Sequence, residues 1–146
     1  MKIGCDIGGV IKEMTSDDPI KGAIEAINQL LKKGHSVVLI SKCNETYRTQ
    51  INTWLVQNGL DHIEVKYCKE YNEKINIAQK LGIDVMIDDK IQVLQSFMPS
   101  HYITKIWFCD DVKKIKGTQK YQPELLKTIR LAKNWEMILE ILNELK

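Results

Sequence analysis

The stretch that decides the fold is Lys2-Ile3-Gly4-Cys5-Asp6-Ile7-Gly8-Gly9-Val10-Ile11. A short apolar run ends at Asp6, and two glycines follow after a single residue. Buried strands of parallel sheets end in this way when they deliver a carboxylate to a sharp turn at the carboxyl edge of the sheet. The stretch therefore predicts a first strand over residues 3–6, with Asp6 at the edge where such sheets bind ligands.

The rest of the chain alternates short apolar runs with helical periods. Further strands are predicted at 36–41, 63–68, 84–88 and 102–109, and helices at 19–33, 45–58, 73–81, 91–97 and 135–145. This alternation predicts βαβ units with right-handed crossovers. We expect a three-layer, doubly wound α/β fold with a parallel sheet in the strand order 3-2-1-4-5, in a single domain spanning residues 1–146.

Three details of this outline are less regular. Asp17 and Asp18 are predicted to cap the helix at 19–33. The polar stretch 110–121 is predicted to be a loop, and periodicity leaves 125–131 open between a strand and a helix. Residues 112–133 carry seven Lys/Arg and one acid, which indicates a solvated surface, with contact to a phosphate-bearing substrate or nucleic acid as the alternative.

Composition places the chain among ordinary globular proteins, with 44% hydrophobic and 27% charged residues and a net charge of +2. The four cysteines form no CxxC pair, so the sequence offers no zinc-finger spacing. We expect free thiols in a reducing, cytoplasmic compartment. Neither a signal peptide nor an apolar run long enough to span a membrane is recognisable, so no membrane partner is expected.

Polar side chains stand at the carboxyl ends of three predicted strands: Asp6 after the first, Ser41 after the second, and Asp88 and Asp89 after the fourth. In the predicted order the first and fourth strands are neighbours about 4.8 Å apart, so their carboxylates converge. Like charges this close require a cation, and oxygen-only ligands suit Mg²⁺. The backbone carbonyl of Gly8 is a further candidate ligand.

The order of these residues resembles the four motifs of the haloacid dehalogenase (HAD) superfamily of phosphotransferases. Asp6 matches motif I, Ser41 after Val37-Val38-Leu39-Ile40 matches motif II, Lys74 matches motif III, and Asp88-Asp89 matches motif IV. The run Ile83-Asp84-Val85-Met86-Ile87-Asp88-Asp89 and the Arg130, Trp135 and Ile138 pattern look most like the 5′(3′)-deoxyribonucleotidase-like branch.

The resemblance implies a role for each acid. Asp6 would be the nucleophile, and Asp6, the carbonyl of Gly8 and Asp89 would hold Mg²⁺. Asp88 would be a supporting residue or an alternative ligand, and both assignments stay open at this point.

The resemblance also implies how the phosphoryl group is bound. Ser41 and the amides of Lys42 and Gly9 would hydrogen-bond to it, and Lys74 would neutralise its charge and serve with Asp6 and Ser41 in catalysis.

Gly8 departs from the motif. The usual form, Asp-x-Asp, has a second aspartate that protonates the leaving group, and Gly8 stands in its place. One hypothesis is a Mg²⁺-dependent phosphohydrolase of nucleotidase type, slow because the acid/base residue is missing. The alternative is a catalytically impaired pseudoenzyme that binds a phosphorylated ligand or a protein partner. We lean towards an enzyme, because the other motif residues are all present.

The sequence leaves no room for a cap domain, either between 11 and 35 or between 43 and 72. An open site would suit a phosphorylated small molecule or macromolecule, or closure by a second copy or another protein. Residues 3–10 also look like the phosphate loop of sugar kinases with the actin-like ATPase fold. That fold needs a second domain, and this chain has about half the necessary length.

Overall fold

A computed structural model describes residues 1–97 and 102–145 of the chain. The strands are β1 (Lys2–Cys5), β2 (Ser36–Lys42), β3 (Glu64–Cys68), β4 (Val85–Asp88), β5 (Thr104–Phe108) and β6 (Ile129–Ala132). The helices are α1 (Ala23–Lys32), α2 (Glu45–Gln57), α3 (Glu73–Leu81), α4 (Ile91–Ser96), α5 (Val112–Tyr121), α6 (Pro123–Leu126) and α7 (Trp135–Glu144). None of the helices in these ranges has the length and apolar character needed to cross a membrane.

The strands form one parallel sheet in the order β3-β2-β1-β4-β5-β6. The predicted order 3-2-1-4-5 is confirmed, and β6 extends it at the β5 edge. β1 lies at the centre, where Cys5 pairs with Leu39 of β2 on one side and Ile87 of β4 on the other. This pairing brings the ends of β1 and β4 next to each other.

Both faces of the sheet are covered, and β2 shows why its sequence is almost continuously apolar. Val37 and Leu39 pack into one core together with α1 and α7, whereas Val38 and Ile40 pack into a second core on the opposite face. Successive side chains of a strand point to opposite faces, so a central strand buried on both sides needs apolar residues at every position.

The chain between β1 and α1 differs from the prediction. The first helix begins at Ala23 rather than near residue 19, and its N-cap is Gly22, with φ of 81°. Asp17 and Asp18 therefore do not cap it. The backbone carbonyls of this segment bind other parts of the fold instead: the Trp54 indole N–H donates to the Asp17 carbonyl at 2.7 Å.

The predicted loop at 110–121 is wrong, because this stretch forms α5. The Asp111 carboxylate accepts hydrogen bonds from the amides of Lys113 and Lys114 and so caps the helix. Ile115 is the buried residue that attaches α5 to the core. The undecided stretch 125–131 contains both alternatives, since α6 ends at Leu126 and β6 begins at Ile129.

Candidate active site

The carboxylates predicted to converge lie together at the carboxyl edge of β1 and β4. Asp6 follows β1, and its amide donates to the Ile87 carbonyl of β4 at 3.0 Å. Asp88 is the last residue of β4, and Asp89 follows it. One oxygen from each of these three aspartates lies within 4.8 Å of the others. Asp88 is fully buried and Asp6 is 6% exposed, so the cluster forms the floor of the site rather than its surface.

Lys74 is the positive charge buried in this floor. It lies in the first turn of α3 and is 1% exposed. Its Nζ atom is 2.9 Å from Asp88 Oδ2 and 3.2 Å from Asp6 Oδ1. The Lys90 ammonium is also close, with its Nζ 3.8 Å from Asp89 Oδ2. Three carboxylates and two ammonium groups still leave one negative charge in excess when all are ionised. The floor is therefore suited to a further cation, or to a proton in its absence.

Burial shifts the ionisation of these groups. It raises the pKa of Asp6 to about 6, an effect that Asp89 reinforces and Lys74 opposes. Burial, followed by the charge of Asp6, likewise raises the pKa of Asp88 to about 6. Burial works against the charge of Lys74, but the carboxylates of Asp6 and Asp88 outweigh it and raise the Lys74 pKa above its ordinary value. The ammonium thus stays charged while the acids are near their titration range.

The two adjacent acids after β4 have different surroundings. Both oxygens of Asp88 are engaged, Oδ2 with Lys74 and Oδ1 with the Lys90 amide at 2.9 Å. Asp89 Oδ1 is buried and has no hydrogen-bond partner among the described residues. A buried unpaired carboxylate oxygen beside Asp6 is a ready ligand for a hard cation, so the residues present fit Mg²⁺. Asp89 has the available oxygen, and Asp88 holds Lys74.

The two glycines of the first loop are not equivalent. Gly9 has φ of +81°, and a Cβ placed on it would lie 2.2 Å from Asp89 Oδ2. A Cβ on Gly8 would meet only Met14 Sδ, at 3.1 Å. Gly9 is therefore required for the position of Asp89. The Gly9 amide donates to the Lys12 carbonyl at 2.8 Å. This amide was expected from the resemblance to bind the phosphoryl group, but in this structure it is engaged within the loop.

A cavity of about 890 Å³ opens above this floor. Five residues predicted for the site line it: Asp6, Gly8, Ser41, Lys42 and Lys74. Ser41 is buried near the end of β2, whereas Lys42 is exposed and its Nζ lies 4.3 Å from the centroid of the Tyr71 ring.

Arg48 and Lys90 also line the cavity, although neither belongs to a motif that the sequence displays. Only their positions in the sequence could have indicated that they belong to the site. Lys90 follows the paired aspartates, and Arg48 lies in the first turns of the helix that follows β2. A second cleft of about 770 Å³ lies on the other side of Asp89 and Lys90, against α5.

Part of the chain is similar in sequence to two bacterial proteins. No family model matches the chain. Two curated bacterial proteins, both named "Putative nucleotidase", are similar to part of it. The protein from Bacillus cereus is 29% identical over 86 residues, 58% of this chain and 46% of the relative. The protein from Oceanobacillus iheyensis is 34% identical over 84 residues, 56% and 45% of the two chains. Each match thus spans less than half of the relative's length.

Solved structures resemble the whole fold. The D,D-heptose 1,7-bisphosphate phosphatase from B. bronchiseptica, complexed with magnesium and phosphate, has a TM-score of 0.72 at 17% identity and covers 99% of both chains. The Burkholderia thailandensis enzyme of the same name has a TM-score of 0.71 at 17% identity, with 97% of both chains covered. A HAD-superfamily hydrolase from Ehrlichia chaffeensis has a TM-score of 0.60 at 16% identity, covering 93% of this chain and 64% of its own.

The chain has the fold of these HAD-superfamily phosphatases, so the fold implied by the motif resemblance is confirmed. Within residues 1–97 and 102–145, the segments between the strands contain only the helices and loops described above, and none of them forms a cap domain.

Proposed function

We propose that this protein is a Mg²⁺-dependent phosphatase of nucleotidase type that hydrolyses phosphate monoesters through an aspartyl phosphate on Asp6. The observation that carries the proposal is the buried ammonium of Lys74, held between Asp6 and Asp88 beside the unpaired oxygen of Asp89. The names of the partial relatives support the nucleotidase class. A structural neighbour complexed with magnesium and phosphate supports the cofactor and the phosphoryl ligand.

The first step is attack by Asp6. Its Oδ1 accepts hydrogen bonds from the Ile7 amide at 2.9 Å and from Lys74, which leaves Oδ2 to form the bond to phosphorus. The bond between phosphorus and the leaving oxygen breaks, and that oxygen takes a proton from solvent. Water then attacks the aspartyl phosphate, which releases inorganic phosphate and the free carboxylate. Lys74 favours the ionised form of Asp6 that this attack needs.

Other residues hold the substrate and the cation. Asp6, Asp89 and the Gly8 carbonyl would bind Mg²⁺, which offsets repulsion between the nucleophile and the phosphoryl oxygens. Ser41 and Lys42 line the cavity where they can contact the phosphoryl group.

Gly8 sets the expected substrate range. General acid/base assistance is worth roughly 10²- to 10⁴-fold, and no carboxylate stands at this position to supply it. Esters whose leaving groups have a low pKa should therefore react much faster than alkyl phosphates. p-Nitrophenyl phosphate has a leaving group with a low pKa, whereas nucleoside monophosphates are alkyl phosphates.

The test is the initial rate of hydrolysis of p-nitrophenyl phosphate and a nucleoside monophosphate panel, with Mg²⁺ or with EDTA. Native activity should require Mg²⁺, and Asp6→Asn should lower it by about 10⁴-fold or more while leaving the fold intact. Asp110→Asn, at an exposed aspartate after β5, is the matched control and should retain native activity. Equal rates for the native chain and Asp6→Asn would overturn the proposal.

Gly8 also favours a second candidate function, a binding domain that holds a phosphorylated ligand without turnover. In that case the native chain shows no hydrolysis, but Mg²⁺ still raises its melting temperature. Gly8→Asp then introduces activity, because it supplies the missing acid/base carboxylate at a position where a Cβ would meet only the exposed Met14 side chain. Turnover by the native chain would rule this candidate out.

A further inference from the structure

Arg48 has an environment that its helix does not explain. It lies near the start of α2, and its Nε atom is buried without a hydrogen-bond partner among the described residues. Among the described residues, no carboxylate lies within ion-pair distance of the Arg48 guanidinium. A buried charged donor without an acceptor is costly, so such a group indicates that its acceptor arrives with a ligand.

The guanidinium is also held in place before any ligand binds. Its central carbon lies 5.3 Å from the centroid of the Tyr67 ring, in the range of a cation–π contact. Tyr67 is itself fixed, since its hydroxyl donates to Asn52 Oδ1 at 2.6 Å. A planar guanidinium stacked on a fixed ring loses little freedom when it binds an anion, which favours recognition of phosphate.

Arg48 forms part of the wall of the cavity whose floor holds Asp6 and Lys74. It lies four residues into the helix from the Asn44 cap, or about 6 Å along the axis. The nearby lysines Lys42 and Lys69 also line the cavity and have no carboxylate partner within 4.0 Å among the described residues. This side of the wall therefore has three cations without a carboxylate within 4.0 Å, and Glu45 of the same helix is the acid that lines the cavity beside them.

The proposed function uses the floor of the cavity for one phosphate group, the one that is transferred. Lys74 is paired with Asp6 and Asp88, and in the proposed function the transferred phosphoryl group lies beside Asp6. A cavity of about 890 Å³ is far larger than one phosphate requires and matches a complete small ligand. The cavity therefore leaves room for another part of the same molecule to pair with Arg48.

We propose that Arg48 is a specificity-determining residue that binds a second phosphate group of the substrate, so that the preferred substrate carries two phosphates. The inference rests on the proposed function for the identity of the first phosphate. The second phosphate is a monoester in a small bisphosphate or the next phosphodiester of an oligonucleotide, and both would present the same anionic oxygens to the guanidinium.

The experiment measures dissociation constants by calorimetry with Mg²⁺, in an Asp6→Asn background that prevents turnover. The ligands are matched pairs: adenosine 5′-monophosphate with adenosine 3′,5′-bisphosphate, and fructose 6-phosphate with fructose 1,6-bisphosphate. A 5′-phosphorylated dinucleotide supplies the phosphodiester. We expect the bisphosphate of at least one pair, or the dinucleotide, to bind about 10- to 100-fold more tightly than the monophosphate.

Substitution then assigns the preference. Arg48→Met should abolish it while leaving monophosphate binding nearly unchanged, and Arg48→Lys should restore part of it. Arg130→Met is the matched control, because Arg130 is exposed, pairs with Glu144 at 2.6 Å and lines neither cleft. A stronger preference for the dinucleotide than for adenosine 3′,5′-bisphosphate would assign the anion to a nucleic acid strand.

Two results would overturn the inference: no preference for a second phosphate in any ligand, or a preference that survives in Arg48→Met. Both are separate from failure of the proposed function, which is decided by hydrolysis of p-nitrophenyl phosphate, a substrate with one phosphate. A chain that hydrolyses this ester but shows no discrimination would keep its function and lose the assigned role of Arg48.

Discussion

The floor and the wall of the cavity use charge in opposite ways. In the floor, Asp6, Lys74 and Asp88 are 6%, 1% and 0% exposed, and each charge has a partner within 3.2 Å. In the wall, Lys42 is exposed and Arg48 half-buried, and neither has a carboxylate partner among the described residues. Charges in the floor are therefore coupled to folding, whereas charges in the wall can change at little cost to stability. In the function proposed above, the floor carries out the chemistry and the wall recognises the substrate.

The strongest test of this difference is to remove one cation from each region. Lys74→Met leaves Asp6 and Asp88 buried without their counter-charge and should destabilise the fold by about 3–5 kcal/mol, with loss of activity. Lys42→Met should change the free energy of unfolding by less than about 0.5 kcal/mol. Urea unfolding monitored by circular dichroism measures both changes.

A double variant separates charge from packing in the floor. Lys74→Met combined with Asp88→Asn should recover much of the lost stability, because one of the two unpaired carboxylates is removed, but activity should stay lost. If Lys74→Met alone were as stable as the native chain, the floor would not be coupled to folding, and the contrast with the wall would disappear.

A smaller effect is expected at the two adjacent glycines. Gly9→Ala places a residue at φ of +81° and pushes a methyl group into Asp89, so it should cost about 1–3 kcal/mol and weaken Mg²⁺ binding. Gly8→Ala meets only Met14 Sδ and should be nearly neutral for both. Urea midpoints and the rise in melting temperature with Mg²⁺ measure the pair. Equal effects at the two positions would show that the first loop does not hold Asp89.

The ionisation of the floor predicts how stability depends on pH without metal. The pKa of Asp6 and of Asp88 is about 6 in the folded chain, above the ordinary value of 3.8. Between these values the folded state binds more protons than the unfolded state, so stability falls as pH rises. In EDTA the melting temperature should therefore decrease by a few degrees from pH 4 to pH 6.

Mg²⁺ and substitution check the origin of this pH dependence. At pH 7, where both acids are ionised in the absence of metal, Mg²⁺ should raise the melting temperature. Asp6→Asn should reduce the slope between pH 4 and pH 6, because one of the two titrating acids is gone. A melting temperature that rises steadily over this range would mean that other carboxylates dominate.

The smallest effect on stability is expected in α5, which lies outside the floor of the cavity. Gly117 lies inside α5, and a Cβ placed there would meet no atom within 4 Å. Gly117→Ala should stabilise the chain by about 0.5–1 kcal/mol, because alanine loses less backbone entropy in a helix. Thermal unfolding measures the gain. A loss of stability would indicate that the cleft beside α5 is more tightly packed than its volume implies.

Much of the fold could be predicted because the β1 and β2 runs are apolar at consecutive positions, as central parallel strands require. The convergence of Asp6 with Asp88 followed from the strand order, which places β1 beside β4. The helix α5 was missed because its one buried anchor, Ile115, stands in a run of lysines and gives no apolar period. The assignment of residues 125–131 stayed open because the pattern of apolar and polar residues over only seven positions fits a strand as well as a helix.

By itself, the sequence determined which residues could do chemistry and along which edge they would lie, because side-chain type and apolar pattern are local properties. It could not show how the surroundings of Asp88 differ from those of Asp89, or how the space at Gly8 differs from that at Gly9, since each pair is identical in type and adjacent in the chain. Only the tertiary structure decided these questions. Lys74 arrives from α3 to engage Asp88, and Asp89 packs against the backbone of Gly9, so Asp89 keeps a free oxygen. The same holds for Arg48, because only folding places its guanidinium over Tyr67 and leaves its buried Nε atom without a hydrogen-bond partner among the described residues. Partners distant in sequence are set by packing, and packing determines which of two identical side chains remains available.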